Sequence, residues 1–244
     1  RDKNFKYDAV IIGGLGHVGL PLGLVFANKG LRVCLHDKNI KNAELVQNGV
    51  MPFIEYGADP ILKKLIKKKD ALTVSSDIRD VSLAKYVVIA IGTPVDEYLN
   101  PNVRVFLEYF KTLKKYLRKN QTIIIRSTIY PRTCQQIMKV LGKNVLLAYC
   151  PERIAQGYAI KELKELPQLV AGVTQKAQNS AIKLFSLIAP KIIKVSMEEA
   201  ELVKLFTNAW RYIQFSITNQ FYMIANDFNL DFNRIRQVMS DGYG

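Results

Sequence analysis

A lysine and an asparagine four residues apart, Lys204 and Asn208, lie in a stretch whose apolar residues recur at helical spacing. Side chains so spaced project from one face of a helix, one turn from each other. An ammonium and a carboxamide placed in this way can hold the same oxygen, so the pair predicts stabilisation of an alkoxide or positioning of a water. A solvated helix face is the alternative, but the apolar neighbours Val203, Leu205 and Phe206 favour a partly buried lysine.

A second set of candidate groups follows two apolar runs. Glu152 stands between Pro151 and Arg153 directly after one run, where a carboxylate can act as a general base, and Thr128 after another run could orient a water toward it. As isolated residues, both would be ordinary surface groups. The neighbouring Cys150 is interpreted as a small buried hydrophobe, because no base accompanies its thiol in the sequence.

A glycine-rich stretch gives the most specific pattern in the chain. Gly14, Gly16 and Gly19 belong to the run Gly-Leu-Gly-His-Val-Gly, which directly follows a short apolar segment. Such glycines permit a tight turn and close approach to a pyrophosphate, and the helix predicted from Val18 points its first amides at the anion. The pattern predicts a dinucleotide site whose loop is capped by His17; a purely structural glycine turn is the alternative.

The acidic residue Asp37 closes the next apolar run. A carboxylate at this position accepts hydrogen bonds from a ribose 2′-hydroxyl and repels a 2′-phosphate. The predicted cofactor is therefore NAD rather than NADP, although the nearby Arg32 and Lys38 would suit a phosphate.

Short apolar runs rich in β-branched residues alternate with amphipathic, helix-like segments. The runs cover residues 9–12, 32–35, 86–91, 122–125, 145–148, 169–171 and 192–195. This alternation predicts an α/β fold with a Rossmann-like, doubly wound parallel sheet. Ligands bind beyond the carboxyl ends of such strands, so the residues after each run are expected to converge. The predicted cofactor contacts are Gly14, Gly16, His17, Val18, Gly19, Asp37, Thr93, Ser127 and Thr128.

The pattern changes after residue 196. Ser196 and Glu199 form a capping box, and the helical period then continues for about 30 residues. At about 1.5 Å per residue this helix would reach about 45 Å, so we expect it to bridge domains or to form a homodimer contact. A second helix, capped by Asp231, follows. The predicted domains are a nucleotide-binding domain, residues 1–196, and a long helix with the start of a helical dimerisation domain, residues 197–244.

Composition narrows the class of protein. The chain has 244 residues, 49% of them hydrophobic, which suffices for a full core. No run reaches the roughly 18 apolar residues of a membrane helix, so we expect a cytoplasmic protein with no membrane partner. The net charge of +14 raises a nucleic-acid-binding module as an alternative, but the charge is diffuse and no recognition motif accompanies it. Three cysteines favour reduced thiols, and two isolated histidines predict no metal site.

Together, these motifs resemble those of the UDP-glucose/GDP-mannose dehydrogenase family, the NAD-dependent nucleotide-sugar 6-dehydrogenases. The similar stretches follow the family's order and cover almost the whole chain. They are residues 14–21 with Asp37, 92–96, 126–128 with Pro131 and Thr133, 151–154, and 201–208. The run Pro-Glu-Arg-Ile at 151–154 looks like the branch that acts on UDP-N-acetylhexosamines, with the UDP-N-acetylmannosamine and UDP-N-acetylglucosamine enzymes as nearest relatives.

The resemblance implies a role in polysaccharide biosynthesis, in which the C6 hydroxyl of a UDP-sugar is oxidised twice, by two NAD, through a thioester. It implies that Lys204 and Asn208 stabilise oxyanions, while Glu152 and Thr128 serve the hydrolytic water. The implied substrate contacts are Glu152, Arg153, Ile154, Lys204 and Asn208.

The sequence also departs from the family pattern. Arg132 stands where the family usually has Gly, His17 where it often has Tyr, and Gln156 where some members carry Glu or Pro. The family's nucleophilic cysteine segment and C-terminal UDP-binding domain are not found within these 244 residues. We therefore expect this chain to bind NAD but not to complete the four-electron oxidation alone.

Two other functions stay open at the level of sequence. A two-electron β-hydroxyacid dehydrogenase also joins a Rossmann domain to a helix that bears Lys and Asn four apart. A relative that binds NAD without catalysis would carry the same glycine loop.

Overall fold

The computed structural model describes residues 4–93, 97, 102–142 and 145–242. The strands are β1 (Tyr7–Ile12), β2 (Val33–His36), β3 (Leu72–Ser75), β4 (Ala84–Ile89), β5 (Thr122–Ile125), β6 (Leu146–Tyr149), β7 (Gln168–Gly172) and β8 (Ile192–Lys194). The helices are α1 (Gly19–Asn28), α2 (Ile40–Gln47), α3 (Ala58–Ile66), α4 (Val103–Lys114), α5 (Thr133–Leu141), α6 (Ala159–Glu165), α7 (Gln175–Phe185), α8 (Met197–Asp227) and α9 (Phe232–Ser240), and a 3-10 helix (Ile78–Leu83) precedes β4.

The strands of the described residues form one sheet in the order β3-β2-β1-β4-β5-β6-β7-β8. The first six strands in that order run parallel, in the arrangement of a doubly wound dinucleotide-binding sheet. Ile12 pairs with both His36 and Ile89, so β1, β2 and β4 end level with one another. The predicted α/β fold is confirmed.

Helices cover both faces of this sheet. Along β1, Ala9 and Ile11 join one apolar cluster while Val10 and Ile12 join the other, as the two-residue period of a strand requires. The first cluster includes residues of α1, α3, α6 and α7, and the second includes residues of α4 and α5. Burial on both faces explains why the strands read as continuous apolar runs.

Two features of the sheet differ from the sequence prediction. The edge strand β3 was not predicted, because its residues are only partly buried and just two of them, Leu72 and Val74, are apolar, so they form no continuous apolar run. Strand β7 pairs antiparallel with β6, and β8 then runs parallel to β7. Apolar runs indicate that strands exist but carry no information on direction.

The predicted long helix is confirmed as α8, which has 31 residues. Its capping box is formed: the N–H of Ser196 donates to Glu199 Oε2 at 2.7 Å, and the N–H of Glu199 donates to Ser196 Oγ at 3.2 Å. The predicted cap of α9 is also formed, because Asp231 Oδ1 accepts from the N–H of Asn233 at 2.8 Å. The chain forms two compact units, residues 1–202 and residues 203–244. Within the described ranges, no helix is both long and apolar enough to cross a membrane.

Candidate functional site

The ends of four strands meet at the carboxyl edge of the sheet. Backbone hydrogen bonds continue past the strands: the N–H of Ala90 donates to the oxygen of Ile12 at 2.8 Å, and that of Arg126 donates to the oxygen of Ile89 at 2.8 Å. The N–H of Cys150 donates to the oxygen of Ile125 at 2.9 Å. The chain segments after β1, β4, β5 and β6 therefore start side by side, as expected from the sequence.

In the glycine loop, packing within the chain requires a glycine at one position and not at another. A Cβ on Gly14 would lie 2.7 Å from the oxygen of Ile11 and 2.8 Å from the Cα of Leu35, so only glycine fits against β1 and β2. A Cβ on Gly16 would meet only the oxygen of Gly13, at 3.5 Å, an ordinary contact. Packing within the chain therefore does not demand a glycine at Gly16. The lack of a side chain there would instead allow the close approach of a pyrophosphate.

The other residues of the glycine loop lead into helix α1. Helix α1 begins at Gly19, with Val18 as its N-cap residue and with no side-chain cap. The N–H of Leu20 donates to the oxygen of Gly16 at 3.0 Å and Pro21 has no N–H, so the first turn offers an anion the N–H of Gly19. The exposed ring of His17 stacks on Phe53, with ring centroids 3.9 Å apart, rather than capping the helix. The loop thus presents backbone donors to an anionic ligand.

Asp37 links the glycine loop to the end of β2. Its Oδ2 accepts a hydrogen bond from the N–H of Leu15 at 3.1 Å, and its Oδ1 accepts one from the N–H of Asn39 at 3.1 Å. Each carboxylate oxygen has two lone pairs, so one lone pair per oxygen is left for the hydroxyls of a ribose. Arg32 does not offset this charge, because its guanidinium is bound to Asp8 at 3.1 Å at the other end of β2.

A cavity of about 590 Å³ opens beside Asp37. Its lining combines apolar side chains from three elements with the edge of the glycine loop. The lining residues include Gly13, Asp37, Lys38, Ile78, Ile91 and Leu113. An apolar cleft next to a carboxylate with acceptor capacity to spare has the chemistry that the adenine end of a dinucleotide requires.

His36 also lines this cavity and is itself 4% exposed. Its buried Nδ1 atom has no hydrogen-bond partner in the described part of the chain. Burial lowers the pKa of His36 from its ordinary value of 6.5, so the imidazole is neutral at neutral pH.

The ends of β4 and β5 are tied together by side-chain hydroxyls. The hydroxyl of Ser127 donates to the oxygen of Ile91 at 2.6 Å, and the hydroxyl of Thr93 donates to the oxygen of Thr128. Thr93, Ser127 and Thr128 are thus brought together as predicted, and the first two act on backbone oxygens. The remainder of the similar stretch, Pro94 to Asp96, lies outside the described residues.

Glu152 is held inside the turn that follows β6. Its Oε1 accepts from the N–H groups of Arg153 and Ile154, at 2.5 and 2.6 Å, and its Oε2 accepts from the guanidinium of Arg126. Both lone pairs of Oε1 are occupied, whereas Oε2 keeps one for a further donor. Burial lowers the pKa of Arg126 to about 10, which leaves the guanidinium charged at neutral pH.

The neighbours of Glu152 are also placed by the structure. The guanidinium of Arg153 donates to the oxygen of Pro167, and Ile154 packs against the apolar cluster that contains α6. Cys150 is fully buried, and burial raises the pKa of its thiol to about 12. Such a thiol is not a nucleophile at neutral pH, in agreement with the structural interpretation of Cys150.

Lys204 and Asn208 both lie on α8, one turn apart, in the second compact unit. Lys204 is buried, at 7% exposure, and Asn208 is exposed. The two residues thus share one helix with the one-turn separation that their spacing indicates, and their role at the site stays a prediction.

Sequence reasoning assigned no role to Arg126 or to the buried Glu55, which binds the amides of Gly157 and Ile160. Arg126 carried a signal, since a charge directly after the apolar run of β5 must be paired if it is buried. Glu55 carried none, because its partners are more than 100 residues away in the chain.

The fold and this edge of the sheet define a dinucleotide-binding protein of the Rossmann type. Residues 8–188 match the NAD-binding domain of the UDP-glucose/GDP-mannose dehydrogenase family, and residues 198–242 match the family's central domain. The chain belongs to this family, and its first domain is the family's NAD-binding domain, which confirms NAD as the cofactor.

Similar proteins include a UDP-N-acetyl-D-mannosamine dehydrogenase of Methanococcus maripaludis, 28% identical over 95% of this chain and 54% of the relative. The solved UDP-N-acetylmannosamine dehydrogenase of Pyrococcus horikoshii superposes with a TM-score of 0.83 at 25% identity, over 96% of this chain and 57% of that one. GDP-mannose dehydrogenase of Pseudomonas aeruginosa shares the fold, with a TM-score of 0.85 at 20% identity over 96% and 56%. The chain spans about half the length of the relatives it matches.

Proposed function

We propose that this chain supplies the NAD-binding half of an enzyme that oxidises the C6 hydroxyl of a UDP-N-acetylhexosamine to a carboxylate. The observation that carries the proposal is the cradle at Gly16 beside the Asp37 carboxylate, joined at the same sheet edge by the Glu152 turn. The names of the Methanococcus maripaludis and Pyrococcus horikoshii relatives support an N-acetylmannosamine sugar.

The reaction balances as one alcohol, two NAD and one water giving one carboxylate, two NADH and three protons. NAD, when bound, is the oxidant in both steps. In this proposal Lys204 and Asn208 stabilise oxyanions on the reacting carbon, because a cation and a carboxamide donate to oxygen most strongly where water is excluded. Thr128 and Oε2 of Glu152 orient the water, and the ion pair with Arg126 holds the Glu152 carboxylate in place.

The remaining proposed contacts follow the strand ends. Thr93 and Ser127 line the cofactor side, while Arg153 and Ile154 line the sugar side with Glu152. In this assignment, residues 1–196 bind the cofactor and the long helix begins the helical domain.

We further propose that the second unit forms a homodimer through α8. The described residues of this unit expose large apolar side chains, which in a water-soluble protein are normally buried against another surface. They include Phe206 at 65%, Trp210 at 62%, Phe215 at 62% and Ile224 at 54% exposure. We expect the working protein to act as a dimer in the cytoplasm. Analytical sedimentation of the chain would test the dimer directly.

Stoichiometry tests the proposed activity. The protein at its natural length, given UDP-N-acetylmannosamine and NAD, should form two NADH per uronate; one NADH per product would instead support a two-electron hydroxyacid dehydrogenase. The 244-residue chain alone should bind NADH and form no uronate in sustained turnover. Lys204→Ala in the natural-length protein should abolish turnover while NADH affinity is kept, and unchanged turnover would remove Lys204 from the mechanism.

A further inference from the structure

Residues 51–58, which we call the bridging segment, contact two separate parts of the sheet edge. At one point the ring of Phe53 stacks on His17 of the glycine loop, with ring centroids 3.9 Å apart and the ring planes at 33°. Two residues further on, Oε2 of Glu55 accepts a hydrogen bond from the N–H of Gly157 at 3.1 Å. One short piece of chain therefore touches both the cofactor loop and the chain that follows β6.

The contact at Glu55 is buried and reinforced. Glu55 is 3% exposed, and its Oε1 accepts a second hydrogen bond from the N–H of Ile160 at 3.3 Å. The N–H of Tyr56 donates to the oxygen of Gly157 at 2.9 Å, and the rings of Tyr56 and Tyr158 lie 5.2 Å apart. A carboxylate in such a place needs these partners, because an unpaired buried charge is costly.

Residues 152–160, the strand-end segment, are folded around carboxylates. Glu152 binds the amides of the two residues that follow it, and Glu162 binds the N–H of Ala155 at 2.6 Å. Both of these carboxylates lie within seven residues of the amides they bind. Glu152 is also paired with Arg126, 26 residues away. Glu55 reaches its amides across 102 and 105 residues, and of the three carboxylates it is the one that joins the strand-end segment to the bridging segment.

We propose that Glu55 is a positioning residue that couples cofactor binding to the order of the strand-end segment. The inference rests on the proposed function, in which this segment meets the sugar nucleotide. A dinucleotide that fixes the glycine loop restricts His17, and with it Phe53, and the bridging segment passes this restriction to Gly157. Binding that orders one part of such a connection favours the ordered form of the other.

Amide hydrogen exchange of residues 150–165, measured with and without NADH, tests the coupling. In the unmodified chain, NADH should slow exchange in this region by about fivefold or more, the lower end of common coupling between sites. Glu55→Gln should lose the slowing. Glu162→Gln is the matched control, because it loosens the same segment without touching the bridging segment; it should exchange faster in both states but keep the slowing by NADH.

Phe53→Ala cuts the other end of the connection and should also lose the slowing, although it makes no described hydrogen bond to the strand-end segment. If the role of Glu55 were purely structural, Glu55→Gln would speed amide exchange equally with and without NADH. That result would overturn the proposal. So would NADH binding to the unmodified chain without any slowing, which would leave the proposed function standing. If a fluorescence titration showed no NADH binding at all, both the coupling and the proposed function would be overturned.

Discussion

Arg126 and Glu152 form an ion pair inside the protein, where their side chains are 1% and 8% exposed. The guanidinium also donates to Gln168 Oε1 at 2.9 Å and to the oxygen of Cys150 at 3.3 Å, and it lies 5.1 Å from the ring of Phe185. Each charge is thus compensated by the other and by fixed dipoles. The turn after β6 depends on a residue that follows β5.

Removing one member of this pair should be costly. Arg126→Met leaves the Glu152 carboxylate buried without its counter-ion, so the free energy of unfolding should fall by about 3–5 kcal/mol in urea titrations. Arg126→Met combined with Glu152→Gln should recover part of the loss, because no lone charge stays buried. Arg79→Met, which breaks the solvent-exposed pair with Asp77, is the control and should leave the free energy of unfolding nearly unchanged, because solvent screens that pair.

Two glycines of the same loop should respond in opposite ways. Gly16→Ala should change the free energy of unfolding by less than about 1 kcal/mol, since the added methyl group meets an ordinary contact, but it should weaken NADH binding by tenfold or more, about 1.4 kcal/mol. Gly14→Ala should destabilise the chain itself, because its methyl group meets the backbone of Ile11 and Leu35. Thermal unfolding and NADH fluorescence separate the two effects. Unchanged NADH affinity in Gly16→Ala would contradict the pyrophosphate assignment.

The choice between NAD and NADP should depend on Asp37. The chain should bind NADH more tightly than NADPH, and Asp37→Ser should reduce that ratio by about tenfold, since a 2′-phosphate no longer meets a carboxylate. Arg32→Ala should leave the ratio unchanged, because Arg32 is occupied by Asp8. A shift of the ratio in Arg32→Ala would show that its guanidinium reaches the nucleotide.

The sequence was sufficient to predict those features that depend on residues close together in the chain. The glycine loop, the cap of Asp231 and the capping box of Ser196 are formed by residues within six positions of one another, so their types and spacing were enough. The Arg126–Glu152 pair and the contacts of Glu55 join residues 26 and more than 100 positions apart. Such contacts depend on which strands become neighbours, which short-range patterns do not encode.

Arg132, which stands where the family usually has Gly, has a backbone conformation that favours glycine. Its backbone has φ of +67°, the left-handed region in which glycine is favoured, and its N–H donates to Glu201 Oε2 at 2.6 Å. Arg132→Gly should therefore be more stable than Arg132→Ala by about 0.5–1 kcal/mol, because alanine keeps the strain. Chemical denaturation of the two variants measures the difference directly; equal stabilities would mean that Arg132 is not strained.

His36 should make the chain less stable in mild acid. Burial lowers its pKa from the ordinary value of 6.5, so the unfolded chain takes up a proton at a higher pH than the folded chain does. Where the unfolded state binds more protons, stability rises with pH, and it is therefore lost as pH falls below about 6.5. Thermal unfolding at pH 7.5 and pH 5.5 should show this loss in the unmodified chain.

Replacing the imidazole separates this effect from other titrations. His36→Gln cannot take up the proton, so its melting temperature should fall less between the two pH values than that of the unmodified chain. His17→Gln removes the exposed histidine and should keep the full decrease. If His36→Gln lost as much stability in acid as the unmodified chain, protonation of the buried His36 imidazole would not be the cause of the acid sensitivity.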